Sequence, residues 1–155
     1  MGSLIYLTHS QPNISYVVGS FSRYKQEPHE FHLKETKRIL IYVKGTTSFG
    51  IHYAAGSSLD IVGYTYSDWA GNNTDHKSTS GYILYLILGT INWSSKKKST
   101  ITLSSTEVEY RGEVNVTTQT ILLQHILTEL GFQFHRLIVI WCDNQSTLKL
   151  CRDLV

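Results

Sequence analysis

Residues 100–110 read Thr100-Ile101-Thr102-Leu103-Ser104-Ser105-Thr106-Glu107-Val108-Glu109-Tyr110, and no other stretch constrains the fold as much. A short alternating strand runs straight into the first turn of the longest helical pattern in the chain. Ser104 with Glu107 three residues on has the spacing of a capping box, in which hydroxyl and carboxylate each satisfy an orphan backbone N–H. That spacing accounts for Glu107 as a structural residue. Glu109 is left over, near the positive end of the helix dipole. Its role depends on which other acids the fold brings beside it.

The flanking pattern names the candidates. Along the helix, Val108, Val114, Ile121, Leu122 and Ile126 give an apolar stripe. Leu130-Gly131-Phe132 ends it in the manner of a Schellman motif. Leu137-Ile138-Val139-Ile140-Trp141-Cys142 is a continuous apolar run, the pattern of a strand buried on both faces. Asp143 follows at once, and Asn144-Gln145-Ser146 leads into a last short helix.

Upstream, residues 59–66 form a strand and 67–79 a polar loop holding Asp68 and the triplet Asp75-His76-Lys77. Residues 81–88 and 91–95 form a hairpin turned by Gly89-Thr90. The order strand, hairpin, strand, helix, strand, helix predicts an α/β fold with a mixed sheet. It gathers the ends of the 59–66 and 137–142 strands and the start of the long helix into one neighbourhood. Acids at those three places can share a divalent metal.

Ala54-Ala55-Gly56-Ser57-Ser58 is the best boundary, dividing the chain into a helical segment, 1–54, and a domain, 55–155. The front is expected to hold two helices and a strand. Pro12 opens the first helix, with Ile14, Val17, Val18 and Phe21 on one face. Pro28 suits the first turn of the second, where Phe31, Glu35, Ile39, Tyr42 and Val43 share a face and Gly45 stops it. Such faces are too small to enclose a core of their own, so this segment is expected to belong to a larger neighbour.

Lys34, Lys37 and Arg38 on that helix, like Lys96-Lys97-Lys98 after the hairpin, suit either a phosphate backbone or a solvated face. His29 and His32 lack a third ligand in view. The front carries six Lys/Arg against three Asp/Glu and the remainder eight against nine, so charge alone names no partner. Two cysteines, Cys142 and Cys151, make neither a disulfide framework nor a zinc site by themselves. A buried reduced thiol is the ordinary expectation for Cys142. No apolar run approaches the roughly 20 residues that span a bilayer. An intracellular protein with no membrane partner is expected.

Several stretches then carry a family resemblance: Gly63-Tyr64 with Asp68-Trp69-Ala70-Gly71-Asn72, Ser78-Thr79-Ser80-Gly81-Tyr82, Trp93-Ser94-Ser95-Lys96-Lys97, residues 103–110, and Cys142-Asp143-Asn144-Gln145-Ser146. In order and spacing they resemble the ribonuclease H domain of copia-type LTR-retrotransposon Pol polyproteins. Residues 1–54 resemble the segment joining reverse transcriptase to that domain, through Gln11-Pro12-Asn13-Ile14-Ser15, Ser22-Arg23-Tyr24 and residues 37–46.

The resemblance implies a ribonuclease H-like fold that hydrolyses the RNA strand of an RNA–DNA hybrid with two Mg²⁺ (or Mn²⁺) ions. The implied metal-binding and catalytic residues are Glu109 and Asp143, with Asp68 as a makeshift third. The implied partners are the hybrid and the reverse-transcriptase portion of the parent polyprotein. Two departures stand out. Tyr66 occupies the position of the family's first aspartate, and a phenol with pKa near ~10 is a poor Mg²⁺ ligand at neutral pH. The family's fourth acid and a further helix would fall beyond Val155, so the domain is expected to be C-terminally truncated; Asp153 does not match that motif. Three readings follow: an impaired hybrid nuclease with weak metal binding, a catalytically dead retrotransposon remnant, and a nucleic-acid-binding module that does not cut.

Overall fold

The computed structural model describes residues 1–53, 60–68, 78–98, 104–134, 137–143 and 149. The chain separates into two compact units, Met1–Ile51 and His52–Val155. The expected boundary at 54–58, most of the polar loop, the strand at 100–103 and nearly all of the last helix lie outside the described residues.

The first unit is helical: α1 (Gly2–Leu7), α2 (Ser15–Phe21) and α3 (Glu30–Gly45), with single 3₁₀ turns at Pro12–Ile14 and Ser22–Tyr24. Its core is Leu4, Ile14, Val18 and Ile39, with Leu7, Val17, Phe21 and Val43 packed against it. The predicted face of the first helix is therefore the buried one. Three expectations need correction. Helix α1 has no side-chain cap and no long apolar period to announce it. The expected front strand is absent among the described residues. Helix α3 starts two residues beyond Pro28, and the His29 N–H donates to His32 Nδ1 at 3.0 Å. His32 also stacks on Tyr24 with ring centroids 4.2 Å apart. The histidine pair thus serves the start of the helix. On α3 only Ile39 is fully covered, while Phe31 and Tyr42 stay exposed, since one small helix cannot cover a whole apolar face.

The second unit is mixed α/β, built on a four-stranded mixed sheet in the order β3-β2-β1-β4. This is the predicted fold class, and it is compatible with a ribonuclease H-like fold. Strands β1 (Ile61–Asp68), β2 (Thr79–Leu86) and β3 (Gly89–Lys97) are antiparallel. Helix α4 (Ser105–Glu129) carries the chain back to β4 (Val139–Trp141), which lies parallel to β1.

The inner face of this sheet is set by close approach. A Cβ on Gly63 would lie 3.0 Å from Leu84 Cδ2, 3.3 Å from Ile140 Cγ1 and 3.5 Å from Val116 Cγ2. A Cβ on Gly112 would lie 2.9 Å from Ser67 Oγ and 3.2 Å from Thr65 Oγ1. Helix α4 therefore meets β1 through Val108, Gly112, Val116 and Thr120, one residue per turn at i, i+4 spacing. Thr120 is satisfied within the helix, its hydroxyl donating to Val116 O at 2.8 Å. Of the expected stripe only Val108 is buried. Val114, Ile121, Leu122 and Ile126 are exposed, because the contact selects small residues that let the backbones approach.

The strands also differ from expectation. Strand β1 runs on through Ser67 to Asp68, which pairs with Thr79, so Asp68 closes a strand and is not in a loop. The hairpin turns at Ile87 and Leu88, since Leu86 pairs with Gly89. Among the described residues β4 has a neighbouring strand on one side only; Val139 and Trp141 are exposed and Leu137 is 94% exposed. Its apolar run does not mark burial on both faces.

Candidate metal centre

Helix α4 begins with the Ser104 half of the predicted capping box. Ser104 Oγ accepts the Glu107 N–H at 3.2 Å, and the Glu107 carboxylate pairs with Arg111 at 2.9 Å. Glu107 thereby fixes the first turn, and Glu109 follows on the next positions. The close approach at Gly112, one turn further on, holds this end of the helix against Thr65 and Ser67 near the end of β1. Because β4 runs parallel to β1, its C-terminal end emerges at that same end of the sheet. Cys142 and Asp143 follow it directly.

The result is a three-residue cluster. A carboxylate oxygen of Glu109, Cys142 Sγ and a carboxylate oxygen of Asp143 all lie within 4.8 Å of one another. Glu109 and Cys142 are half-buried and Asp143 is exposed. Glu109 Oε2 is shut off from solvent without a hydrogen-bond partner, and so is Ser67 Oγ. A buried carboxylate oxygen without a donor is costly, and a bound cation removes that cost.

The sequence-predicted residues separate accordingly. Glu109 and Asp143 come together, and Glu113 is not part of the cluster. The Asp68 backbone ends β1, but its carboxylate lies outside what is described. Tyr66 pairs with Gly81 in β1 and is 55% exposed. Alternation puts it on the sheet face turned away from α4, since Thr65 and Ser67 face Gly112.

Lys96 and Lys97 end β3, and the Lys98 N–H donates to Ser78 O at 2.8 Å. Burial lowers the Lys98 ammonium from its ordinary pKa, and the positive charge of Arg111 lowers it further. In the other unit, Lys34 pairs with Glu30 at 3.4 Å and Arg38 with Glu35 at 2.8 Å. Lys37 accompanies them on α3.

Cys142 is the residue that sequence reasoning passed over. Its apolar neighbours imply an ordinary buried thiol, whereas it is half-buried with its sulfur beside two carboxylates. The available signal was its position immediately before Asp143 at a strand end. For Mg²⁺, which binds through one or two carboxylates and keeps several waters, Glu109 and Asp143 are a fitting pair, and the orphaned Glu109 oxygen supports the fit. The thiol is outside the ligand preference of that hard ion.

No family model matches the chain, and no solved structure matches it. Curated relatives do. The chain is 43% identical over all 155 residues to the retrovirus-related Pol polyprotein from transposon RE1 of Arabidopsis thaliana, spanning 11% of that protein. It is 35% identical over 154 residues, 99% of its length, to the corresponding polyprotein from transposon TNT 1-94 of Nicotiana tabacum, again spanning 11%. Over 124 residues, 79% of the chain, it is 35% identical to secreted RxLR effector protein 161 of Plasmopara viticola, covering 87% of that protein.

Proposed function

We infer, for a chain that belongs over its whole length with the copia-type retrotransposon Pol polyproteins, that its second unit is a ribonuclease H-type module directed at the RNA strand of RNA–DNA hybrids and impaired in cleavage. The observation that carries this reading is the convergence of Glu109 and Asp143 from α4 and the end of β4. Mg²⁺ held there would activate water and stabilise the leaving oxygen of a phosphodiester.

The chain's own residues do the rest. Ser104 and the Glu107–Arg111 pair hold the helix start, so that Glu109 is presented towards Asp143. Lys96, Lys97 and Lys98, at and just beyond the end of β3, are the cations proposed to meet a nucleic-acid backbone. Recognition of this kind follows backbone geometry and 2′-hydroxyls, with no reading of base sequence. The impairment is assigned by the family resemblance, which places a carboxylate at the position of Tyr66, a phenol without negative charge at neutral pH. Two acids hold one Mg²⁺ weakly and a second ion more weakly still. The reverse-transcriptase portion of a longer polyprotein is the proposed partner of the first unit.

The test compares Mg²⁺ titration and hybrid cleavage for the chain itself, Tyr66→Asp and Asp68→Asn. Cleavage by the unmodified chain should be absent or far below that of a relative with aspartate at this position, and Tyr66→Asp should bind Mg²⁺ more tightly. Efficient cleavage by the unmodified chain, abolished in Asp68→Asn, would show that Asp68 has taken over the missing role and would overturn the impaired-site reading.

A further inference from the structure

We propose that the start of helix α3 is a pH-sensitive catch, closed by the neutral imidazole of His32 and released when that imidazole takes up a proton. The His29 N–H donates to His32 Nδ1 at 3.0 Å. A backbone N–H only donates, so Nδ1 is the bare nitrogen of the ring and the proton of the neutral imidazole sits on Nε2. His29 is the N-cap of α3. His32 thus stands at the third helical position, where a glutamate or glutamine ordinarily accepts the N-cap N–H. Unlike glutamine, an imidazole loses that acceptor on protonation, because both its nitrogens then donate. Protonation also puts a positive charge in the first turn, at the positive end of the helix dipole.

The same ring joins α3 to the segment before it. It stacks on Tyr24 with centroids 4.2 Å and planes 14° apart, and has Phe21 at 6.1 Å and Phe31 at 5.9 Å. Tyr24 belongs to the turn Ser22–Tyr24 and Phe21 ends α2. The charged groups around the ring do not compensate a proton on it. On α3, Glu30 is paired with Lys34 and Glu35 with Arg38. Among the described residues no carboxylate, Glu27 included, forms an ion pair with His32. Arg23 and Lys25 flank Tyr24, and the His29 ring lies 5.6 Å away, so the remaining neighbours bring like charge. The face of Tyr24 attracts a cation, but it cannot restore the lost acceptor. The catch is therefore closed where imidazole is neutral and open where it is charged. This inference concerns the first unit and depends on neither metal binding nor hybrid cleavage.

The experiment is nitrogen-15 and carbon-13 NMR of the full chain at about pH 8 and about pH 5, on either side of ordinary imidazole titration. At the higher pH a nitrogen–nitrogen coupling across the hydrogen bond should connect the His29 amide to His32 Nδ1. At the lower pH that coupling should vanish. The ratio of helical to frayed first turn, read from the Cα shifts of residues 30–33, should then fall about fivefold. His32→Gln should hold the same Cα shifts at both pH values, because its amide oxygen accepts whatever the pH. His29→Gln keeps the backbone donor and His32, so it should respond as the unmodified chain does. The other histidines titrate alike in the unmodified chain and in His32→Gln, so the difference between those two isolates His32. Absence of the coupling at the higher pH, or an equal pH response in His32→Gln, would overturn the proposal. The coupling is read in the unmodified chain, so the first of these outcomes decides even if His32→Gln does not fold.

Discussion

The two faces of the four-stranded sheet are both apolar, yet only one of them determines where anything sits. On the inner face Leu84, Val108 and Val116 are wholly buried, and Gly63 and Gly112 bring α4 to the backbone of β1. The outer face carries Val62, Tyr64, Ile83, Tyr85, Ile87 and Leu88 around a groove of about 350 Å³, with Tyr64 packed edge-on to Tyr85 at 5.8 Å. Tyr64, Tyr66, Val139 and Trp141 remain exposed there. Hydrophobic content is thus common to both, and closeness of packing is not. The inner face converts packing into position: it places Glu109 over the end of β1, where Asp143 arrives. The outer face fixes no such geometry.

The largest expected effect tests that asymmetry directly. Leu84→Ala removes a wholly buried side chain that touches the space beside Gly63, and should lower unfolding free energy by about 3 kcal/mol through lost burial and the cavity left behind. Tyr64→Ala, on the half-open face, should cost about 1 kcal/mol, most of it the edge-on pair with Tyr85. Denaturant unfolding of both variants measures the ratio. Equal losses would mean that the outer face is as well packed as the inner one.

Gly112→Leu sharpens the comparison by linking packing to the site. Its side chain has to enter space where even a Cβ would lie 2.9 Å from Ser67 Oγ, and the overpacking should cost about 1–3 kcal/mol. Because α4 must lift from β1, Glu109 should also separate from Asp143, and Mg²⁺ binding should weaken together with stability. Gly112→Ala divides the effects: the gain of helix propensity, up to about 1 kcal/mol, works against the contact with Ser67. A Gly112→Leu chain that binds metal normally would show that the cluster does not depend on this contact.

Particular residues show how much of this was legible in the sequence. The meeting of Glu109 and Asp143 followed from element order alone, since a helical crossover to a parallel neighbour brings a helix start and a strand end to one edge. The Ser104 cap was legible because it is local. Three readings failed where the outcome is decided by tertiary contact. Periodicity weighted Val114, Ile121 and Leu122 as core, but α4 uses Gly112, which a hydrophobic pattern discounts. The run at 137–142 read as doubly buried, but among the described residues its strand has one neighbour only, and that leaves no mark in composition. Cys142 was classed by its apolar neighbours, while its sulfur lies beside the acids. A sequence reports which residues are apolar; it does not report which apolar face acquires a cover.

The smallest effect concerns the hairpin turn, where Gly89-Thr90 seemed the natural place to reverse the chain. Pairing of Leu86 with Gly89 puts the turn two residues earlier, on Ile87 and Leu88, and the register shifts between Leu84 and Tyr85. Ile87 consequently adopts a φ of 61°, a left-handed conformation, with its N–H donated to Asp60 O at 3.0 Å. For L-residues that conformation costs about 1–2 kcal/mol, and a β-branched side chain tolerates it especially poorly. Against this, Ile87 lines the outer groove and gains some burial there. If the outer face is as loosely held as its exposure indicates, strain outweighs burial. Ile87→Asn should then stabilise the chain by roughly 1 kcal/mol, since asparagine accepts the left-handed region with a local hydrogen bond. Leu88→Asn, at a position 81% exposed, should change stability by less than about 0.5 kcal/mol. Thermal unfolding of the two variants reads both values. A destabilised Ile87→Asn would mean that the groove contributes more than the turn costs, and that the outer face is a second packed surface.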